Sequence, residues 1–275
     1  MTHTINGYAD LGDARLYYEM GGEGEPLVLS HAGFVDSRMW DDQWDAFTRR
    51  YRTLRFDMRG FGKSDRAERP VARRDDLYRL LQRLGIARSA LVGCSMSGEI
   101  VLDFALEHPE MVAALVLVST VPGGFEMRGE PPHELLEMMA AMGQGDLERA
   151  SELQNRLWID GPFRKPQQVD PRLRQRAAEM NRIALANGTW GKADAVPTRP
   201  LNPPAVQRLG EIQVPVLIVV GGLDAPEILR AADVMAAAIP GARKVILPGC
   251  AHLPNMERPE EFNRVVLEFL EARAT

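Results

Sequence analysis

Apolar residues along this chain gather in short unbroken runs separated by longer stretches of mixed periodicity. Runs at residues 26–30, 53–57, 90–93, 113–119, 214–221 and 244–247 are rich in Val, Leu and Ile and alternate little with polar positions. Strands covered on both faces have that pattern, because neither side of the sheet meets water. Between the runs, residues 42–50, 72–84, 97–107, 227–238 and 259–272 set apolar side chains at helical spacing. Several of these stretches end at a breaker: Gly85, His108-Pro109, and Pro240-Gly241. Such alternation predicts the α/β class, a mostly parallel sheet with helices on both faces. Ile5, Tyr8, Leu16 and Tyr18 fit an antiparallel hairpin at one sheet edge.

The rhythm changes between residues 122 and 204. Here the chain turns rich in Met, Gln, Arg and Pro, with helical patterns at 133–142, 147–158 and 171–186 and no strand candidate. Helices inserted late in a parallel sheet can lie over the carboxyl ends of its strands, where open α/β folds bind ligands. The expected organisation is a core of residues 1–121 and 205–275, with residues 122–204 as a helical cap.

Charge and composition narrow the function classes. Among 275 residues, 33 Lys and Arg stand against 38 Asp and Glu, a formal net charge of -5. That balance gives no electrostatic reason to expect nucleic acid or an anionic membrane as partner. The apolar runs are too short to span a bilayer, and the opening residues lack the basic-then-apolar pattern of a secretory leader. The two cysteines cannot build a disulfide framework, so a cytoplasmic location is expected. No clustered His/Cys spacing suits zinc, so neither metal nor cofactor is expected. Nothing in the pattern specifies an oligomeric state.

Candidate chemistry begins with Gly93-Cys94-Ser95-Met96-Ser97-Gly98, between a predicted strand and a predicted helix. A serine on so sharp a turn projects its Oγ above the sheet, and the turn needs small residues two before and two after it. Gly93 and Ser97 occupy those positions. Were Ser97 the nucleophile, Glu99 would fill a place that demands a small residue; Cys94 is out of register. Ser95 is the candidate.

Of five histidines, His3 lies near the terminus, His108 ends a helix and His133 falls in the cap. His31 opens the loop after the 26–30 run and is expected to hold that loop by hydrogen bonds, without moving protons. His252 follows the 244–247 run, on a loop placed to meet Ser95. Asp224 follows the 214–221 run; Glu227, the next carboxylate, already opens a helix. A serine, an aspartate and a histidine in that order, each beyond its own strand, make a Ser-His-Asp triad. The oxyanion hole is expected from the backbone N–H groups of Gly33 and Met96, with Phe34 as the alternative to Gly33. Phe34, Phe125, Trp158 and Leu253 are the candidate substrate contacts. Trp158 also suits an anchor for the cap, while Met138, Met139 and Met142 at helical spacing suit packing.

These segments, together with Asp57-Met58-Arg59-Gly60-Phe61-Gly62-Lys63-Ser64-Asp65, resemble the α/β-hydrolase superfamily from about Pro26 onward. The His252 segment, with Asn255, Glu257 and Pro259, is similar to that of 3-oxoadipate enol-lactonases and small carboxylesterases. The chain departs from them in the histidine that opens its oxyanion loop and in Ser97, where glycine is usual. The resemblance implies hydrolysis of a small-molecule ester or lactone through an acyl-enzyme. It also admits carbon–carbon hydrolysis of the meta-cleavage type, although those enzymes usually carry tryptophan after the catalytic histidine and this chain has Leu253. A ligand-binding protein with vestigial turnover is the non-enzymatic alternative. Haloalkane dehalogenases and epoxide hydrolases require a carboxylate nucleophile, which Ser95 is not.

Overall fold

The computed structural model describes residues 4–196 and 198–272; His3 lies outside them. Among the described residues the eight strands are β1 (Thr4–Asp10), β2 (Arg15–Gly21), β3 (Pro26–Ser30), β4 (Arg52–Phe56), β5 (Ser89–Cys94), β6 (Val112–Val118), β7 (Val216–Gly221) and β8 (Arg243–Leu247). They form one sheet in the order β1-β2-β4-β3-β5-β6-β7-β8. The expected edge hairpin is β1 and β2, paired antiparallel, and from β4 to β8 every pairing is parallel.

The helices are α1 (Asp41–Thr48), α2 (Arg73–Arg83), α3 (Met96–Glu107), α4 (His133–Gln144), α5 (Leu147–Gln154), α6 (Pro171–Asn187), α7 (Thr189–Lys192), α8 (Pro226–Ala238), α9 (Pro254–Glu257) and α10 (Pro259–Ala272). Alternate strand residues divide between two cores. Leu27, Val92, Val116 and Val219 pack beneath α1 and α10, while Val28, Leu91, Leu117 and Ile218 pack against α2, α3 and α8. Both faces are therefore buried, which is why the strand runs read as continuous apolar stretches.

Two boundaries depart from the sequence pattern for identifiable reasons. The β7 strand begins at Val216 rather than at residue 214, since Pro215 has no N–H to donate, although its carbonyl accepts from Leu115 at 3.0 Å. The helix expected over 147–158 stops being α-helical at Gln154 and continues as a π-helical turn, Asn155–Asp160, which ends at Gly161 with φ +70°. The fully buried Asp160 anchors that wider turn, bonded by Arg156 and by Arg174, each at 2.9 Å.

The segment between β6 and β7 has an apolar cluster of its own around Met138, Ala150 and Leu153. It also shares the main core, because Leu173, Ala177 and Met180 of α6 join the cluster that holds Phe34 and Trp40. No helix among the described residues is long and apolar enough to cross a membrane.

Candidate active site

Ser95 stands between β5 and α3 with φ 55° and ψ -122°, a conformation that L side chains seldom adopt. The fold enforces it from both sides. Ser95 N–H donates to Val118 O at 2.8 Å, and Thr120 Oγ1 donates to Ser95 O at 2.6 Å. A Cβ on Gly93 would lie 2.3 Å from Ser97 O, so strand and helix approach closely enough to demand glycine.

His252 lies on the loop after β8, and Asp224 on the loop after β7. These two loops touch: a Cβ on Gly221 would lie 1.9 Å from Ala251 O, and Leu223 N–H donates to Cys250 O at 2.8 Å. The contact brings His252 Nδ1 to 3.0 and 2.9 Å from the two Asp224 carboxylate oxygens. His252 Nε2 lies 2.8 Å from Ser95 Oγ. Asp224 and His252 are 3% and 2% exposed, so water scarcely competes for these bonds. With Asp224 accepting from Nδ1–H, Nε2 is left as a hydrogen-bond acceptor facing the Ser95 hydroxyl. Glu227 turns away to Arg230, whose guanidinium holds its carboxyl down at about 2.

The Gly33 loop lies directly against Met96. A Cβ on Gly33 would meet the Met96 side chain at 3.0 Å. Met96 opens α3, so its N–H has no partner within the helix. His31 is fully buried; its Nδ1–H donates to Ala32 O at 2.9 Å and its Nε2 accepts from Met58 N–H at 2.9 Å. Burial holds its pKa down at about 4, so the ring stays neutral and braces the loop.

Trp158 lies on the π-helical turn with its ring 4.9 Å from that of His252 and 6.1 Å from Phe34. Leu253 is fully buried beside them in the core. Phe125 is placed differently, with the Arg230 guanidinium 4.1 Å above its ring. It flanks α8 there, as an aromatic surface for a cation. Met138 packs inside the α4–α5 cluster and Met139 is exposed. His108 stacks on Tyr78, and His133 is exposed beside Glu137. Burial pushes the Cys94 thiol well up, helped by the Asp224 charge, and that of Cys250 to about 12; both stay protonated at neutral pH. A cleft of about 380 Å³ runs along α3 and reaches the turn at Met96. Burial raises Glu99 in its wall to about 7, with Asp103 nearby adding repulsion.

The model of the α/β hydrolase fold family matches residues 25–259. The chain belongs to that family. A 2-hydroxy-6-oxononadienedioate/2-hydroxy-6-oxononatrienedioate hydrolase of Burkholderia vietnamiensis is 30% identical, over 97% of this chain and 94% of its own length. A pimeloyl-(acyl-carrier protein) methyl ester esterase of Yersinia enterocolitica is 27% identical, over 95% of this chain and 99% of its own. Among solved structures, the enol-lactonase from Burkholderia xenovorans superposes with a TM-score of 0.79 at 24% identity, covering 96% of this chain and 100% of that one.

Three features of this α/β-hydrolase escaped the sequence reading. Ser97, in place of the usual glycine, donates through Oγ to His31 O at 2.5 Å and accepts from Ser30 Oγ at 2.9 Å, tying the serine turn to the Gly33 loop. Trp190 Nε1 donates to Gly33 O in the same loop at 2.8 Å. Arg164 bonds Ile159 O, Asp160 O and Glu257, and Glu257 accepts from Ala251 N–H at 2.6 Å. The π-helical turn is thereby strapped to the loop that carries His252. The Asp57–Ser64 loop is internally braced, with Asp57 accepting from Ser37 and Lys63 N–H and Arg59 bridging Asp13 and Asp76.

Proposed function

We propose that this α/β-hydrolase is a serine hydrolase that cleaves a small carboxylic ester or lactone through an acyl-enzyme. The observation that carries the reading is the unbroken relay from Ser95 Oγ through His252 to Asp224, with 2.8 and 2.9 Å links. In the proposed reaction His252 Nε2 takes the Ser95 proton as Oγ attacks the carbonyl carbon. The N–H groups of Gly33 and Met96 stabilise the oxyanion, one such donor contributing ~3–4 kcal/mol in the transition state. The protonated His252, held in orientation by Asp224, gives its proton to the leaving alkoxide. Water, deprotonated by the same imidazole, then releases the acid and restores Ser95.

We assign residues 122–204 as a cap over a core of 1–121 and 205–275. Trp158 on His252, and Thr189 Oγ1 donating to Gly60 O at 2.7 Å, support that division. Phe34, Trp158 and Leu253 are the proposed substrate neighbours.

A second reading, hydrolysis of a carbon–carbon bond in a dienoate by the same three residues, is favoured by the likeness to the Burkholderia vietnamiensis hydrolase. Stoichiometric labelling of Ser95 by a fluorophosphonate, located by mass spectrometry, tests nucleophile activation for both readings. Parallel assays on p-nitrophenyl esters and on a ring-cleavage dienone separate them. Ser95→Ala should lower kcat by about 10⁴–10⁶. Near-normal turnover by a correctly folded S95A protein refutes the proposal.

A further inference from the structure

The helix that carries Trp158 holds buried polar groups with nothing to bond. Gln154 is 1% exposed, and neither its amide nitrogen nor its amide oxygen has a partner among the described residues. The buried Trp158 Nε1 also lacks one. A buried amide or indole N–H left without a partner is costly, so native proteins seldom retain one without a use. Asn155 Oδ1 lacks a partner too, whereas Ser151 Oγ bonds Asn181 Oδ1 at 2.6 Å, and Asn181 Nδ2 bonds back to Ser151 O at 3.3 Å.

The backbone at Gln154 and Asn155 keeps φ -62° and ψ -41°, so the helix runs unbroken from α5 into the π-helical turn. Across a π-helical turn, whose bonds run i→i+5, the positions four and five residues on lie over a given residue, which sets Trp158 on the same side of the helix as Gln154. Leu153 and Leu157 fill the adjoining face and pack into the internal cluster of α4 and α5. Of this pair, Trp158 meets His252 and Phe34 through its ring.

From this geometry we infer that Gln154 and Trp158 form a polar subsite for an uncharged group that carries a donor beside an acceptor, of the carboxamide type. The inference rests on the serine-hydrolase reading only in taking that group to be part of the ester or lactone substrate. The glutamine amide offers one donor and one acceptor on a single edge, and the indole N–H adds a second donor. Among the described residues an anion finds no free cation here: on this helix Arg149 is held by Glu137 and Arg156 by Asp160, and Arg174 of the neighbouring α6 by Asp160 and Glu152. A carboxylate at that depth would remain unpaired, at high cost.

The test is binding to Ser95→Ala protein, with and without Gln154→Leu, measured by calorimetry. The probes are methyl 5-amino-5-oxopentanoate, its apolar isostere methyl 5-methylhexanoate, and the anionic monomethyl glutarate. Gln154→Leu should weaken the carboxamide ester by about tenfold and leave the isostere unchanged. Monomethyl glutarate should bind more weakly than the carboxamide in the Ser95→Ala protein. Trp158→Phe, which keeps the ring but removes its N–H, should give a smaller loss in the same sense. Without ligand, Gln154→Leu should raise Tm by about 2–4 °C, because it removes an unbonded buried amide. A fall in Tm would show that the amide is satisfied without substrate and would overturn the inference. Equal losses for both neutral esters, or no binding of the carboxamide ester, would do the same. If wild-type protein hydrolysed none of the esters while the selective binding persisted, the hydrolase reading would fail and the subsite would stand.

Discussion

Arg164 offers the sharpest test of what holds the His252 loop. Its guanidinium bonds Glu257 at 2.6 Å, Ile159 O at 2.7 Å, Asp160 O at 2.9 Å and Gly249 O at 3.3 Å. The two charged side chains are only 12% and 8% exposed, so solvent screens the pair poorly. Arg164→Met keeps much of the apolar stem but strands the Glu257 carboxylate. Breaking a buried pair from one side costs about 3–5 kcal/mol, mostly through the charge left behind. Burial already raises the Glu257 pKa against the pull of Arg164, and removing the cation raises it further. A carboxyl whose folded pKa exceeds its unfolded value lowers stability only where it would otherwise ionise. The penalty is absent below the unfolded pKa, grows as pH rises through it, and is complete above the folded pKa. The deficit of R164M relative to wild type should therefore be largest at about pH 8 and shrink toward about pH 5. Urea unfolding at both values measures it. In the double variant with Glu257→Gln no buried charge is stranded, and the cycle should return a coupling of about 2 kcal/mol. A pH-independent deficit with coupling below about 0.5 kcal/mol would falsify the reasoning.

Ser97→Ala removes the hydroxyl that joins the serine turn to His31 O, and should cost about 1–2 kcal/mol of stability. It should also lower kcat by about tenfold with KM little changed, as the Gly33 loop loosens; a KM effect alone would refute that role. His31 supplies a second pH dependence. Burial depresses its pKa to about 4, with Asp36 and Arg73 acting on it in opposite senses. A base depressed on folding stabilises the protein above its unfolded pKa, and that share is lost as pH falls toward the folded value. The loss should be about 3 kcal/mol between pH ~6.5 and ~4. Chemical denaturation of His31→Gln across that window should show a correspondingly flatter slope, and equal slopes would contradict the assignment.

The legible parts of this molecule were those set by local pattern. Strand runs at β3, β5 and β6 stand out because both faces of the sheet are covered, so no polar position interrupts Leu27 to Leu29 or Ala114 to Val118. Ser95 and Asp224 could be singled out because each follows such a strand, and His252 because it follows the shorter apolar run of the edge strand β8; the structure brings the three within hydrogen-bond distance. What the pattern could not carry was long-range pairing. Arg164 and Glu257 are 93 residues apart, and arginine beside glutamate is unremarkable composition until the chain folds. The π-helical turn was equally invisible, since a widened turn retains the apolar spacing of an α-helix over so few residues. Phe125 suits a substrate contact by its aromatic ring and its place in the 122–204 segment; its partner on α8 depends on the path of the loop.

These hidden contacts share one direction. Ser97 and Trp190 each bond the Gly33 loop, at His31 O and Gly33 O, while Arg164 and Glu257 fasten the π-helical turn to the loop that carries His252. None of these bonds touches the reacting atoms of the proposed mechanism, yet each fixes a group whose placement that mechanism needs. An oxyanion donor displaced by an ångström loses most of its value, because charge stabilisation depends on donors already aimed before charge develops. The strained Ser95 backbone has the same logic: φ 55° is unfavourable for serine and persists because Gly93, Val118 and Thr120 leave the turn no alternative. The stability invested around the site thus sustains a local conformation that the serine would not hold by itself. Variants that relax those ties should lose turnover in greater proportion than they lose fold.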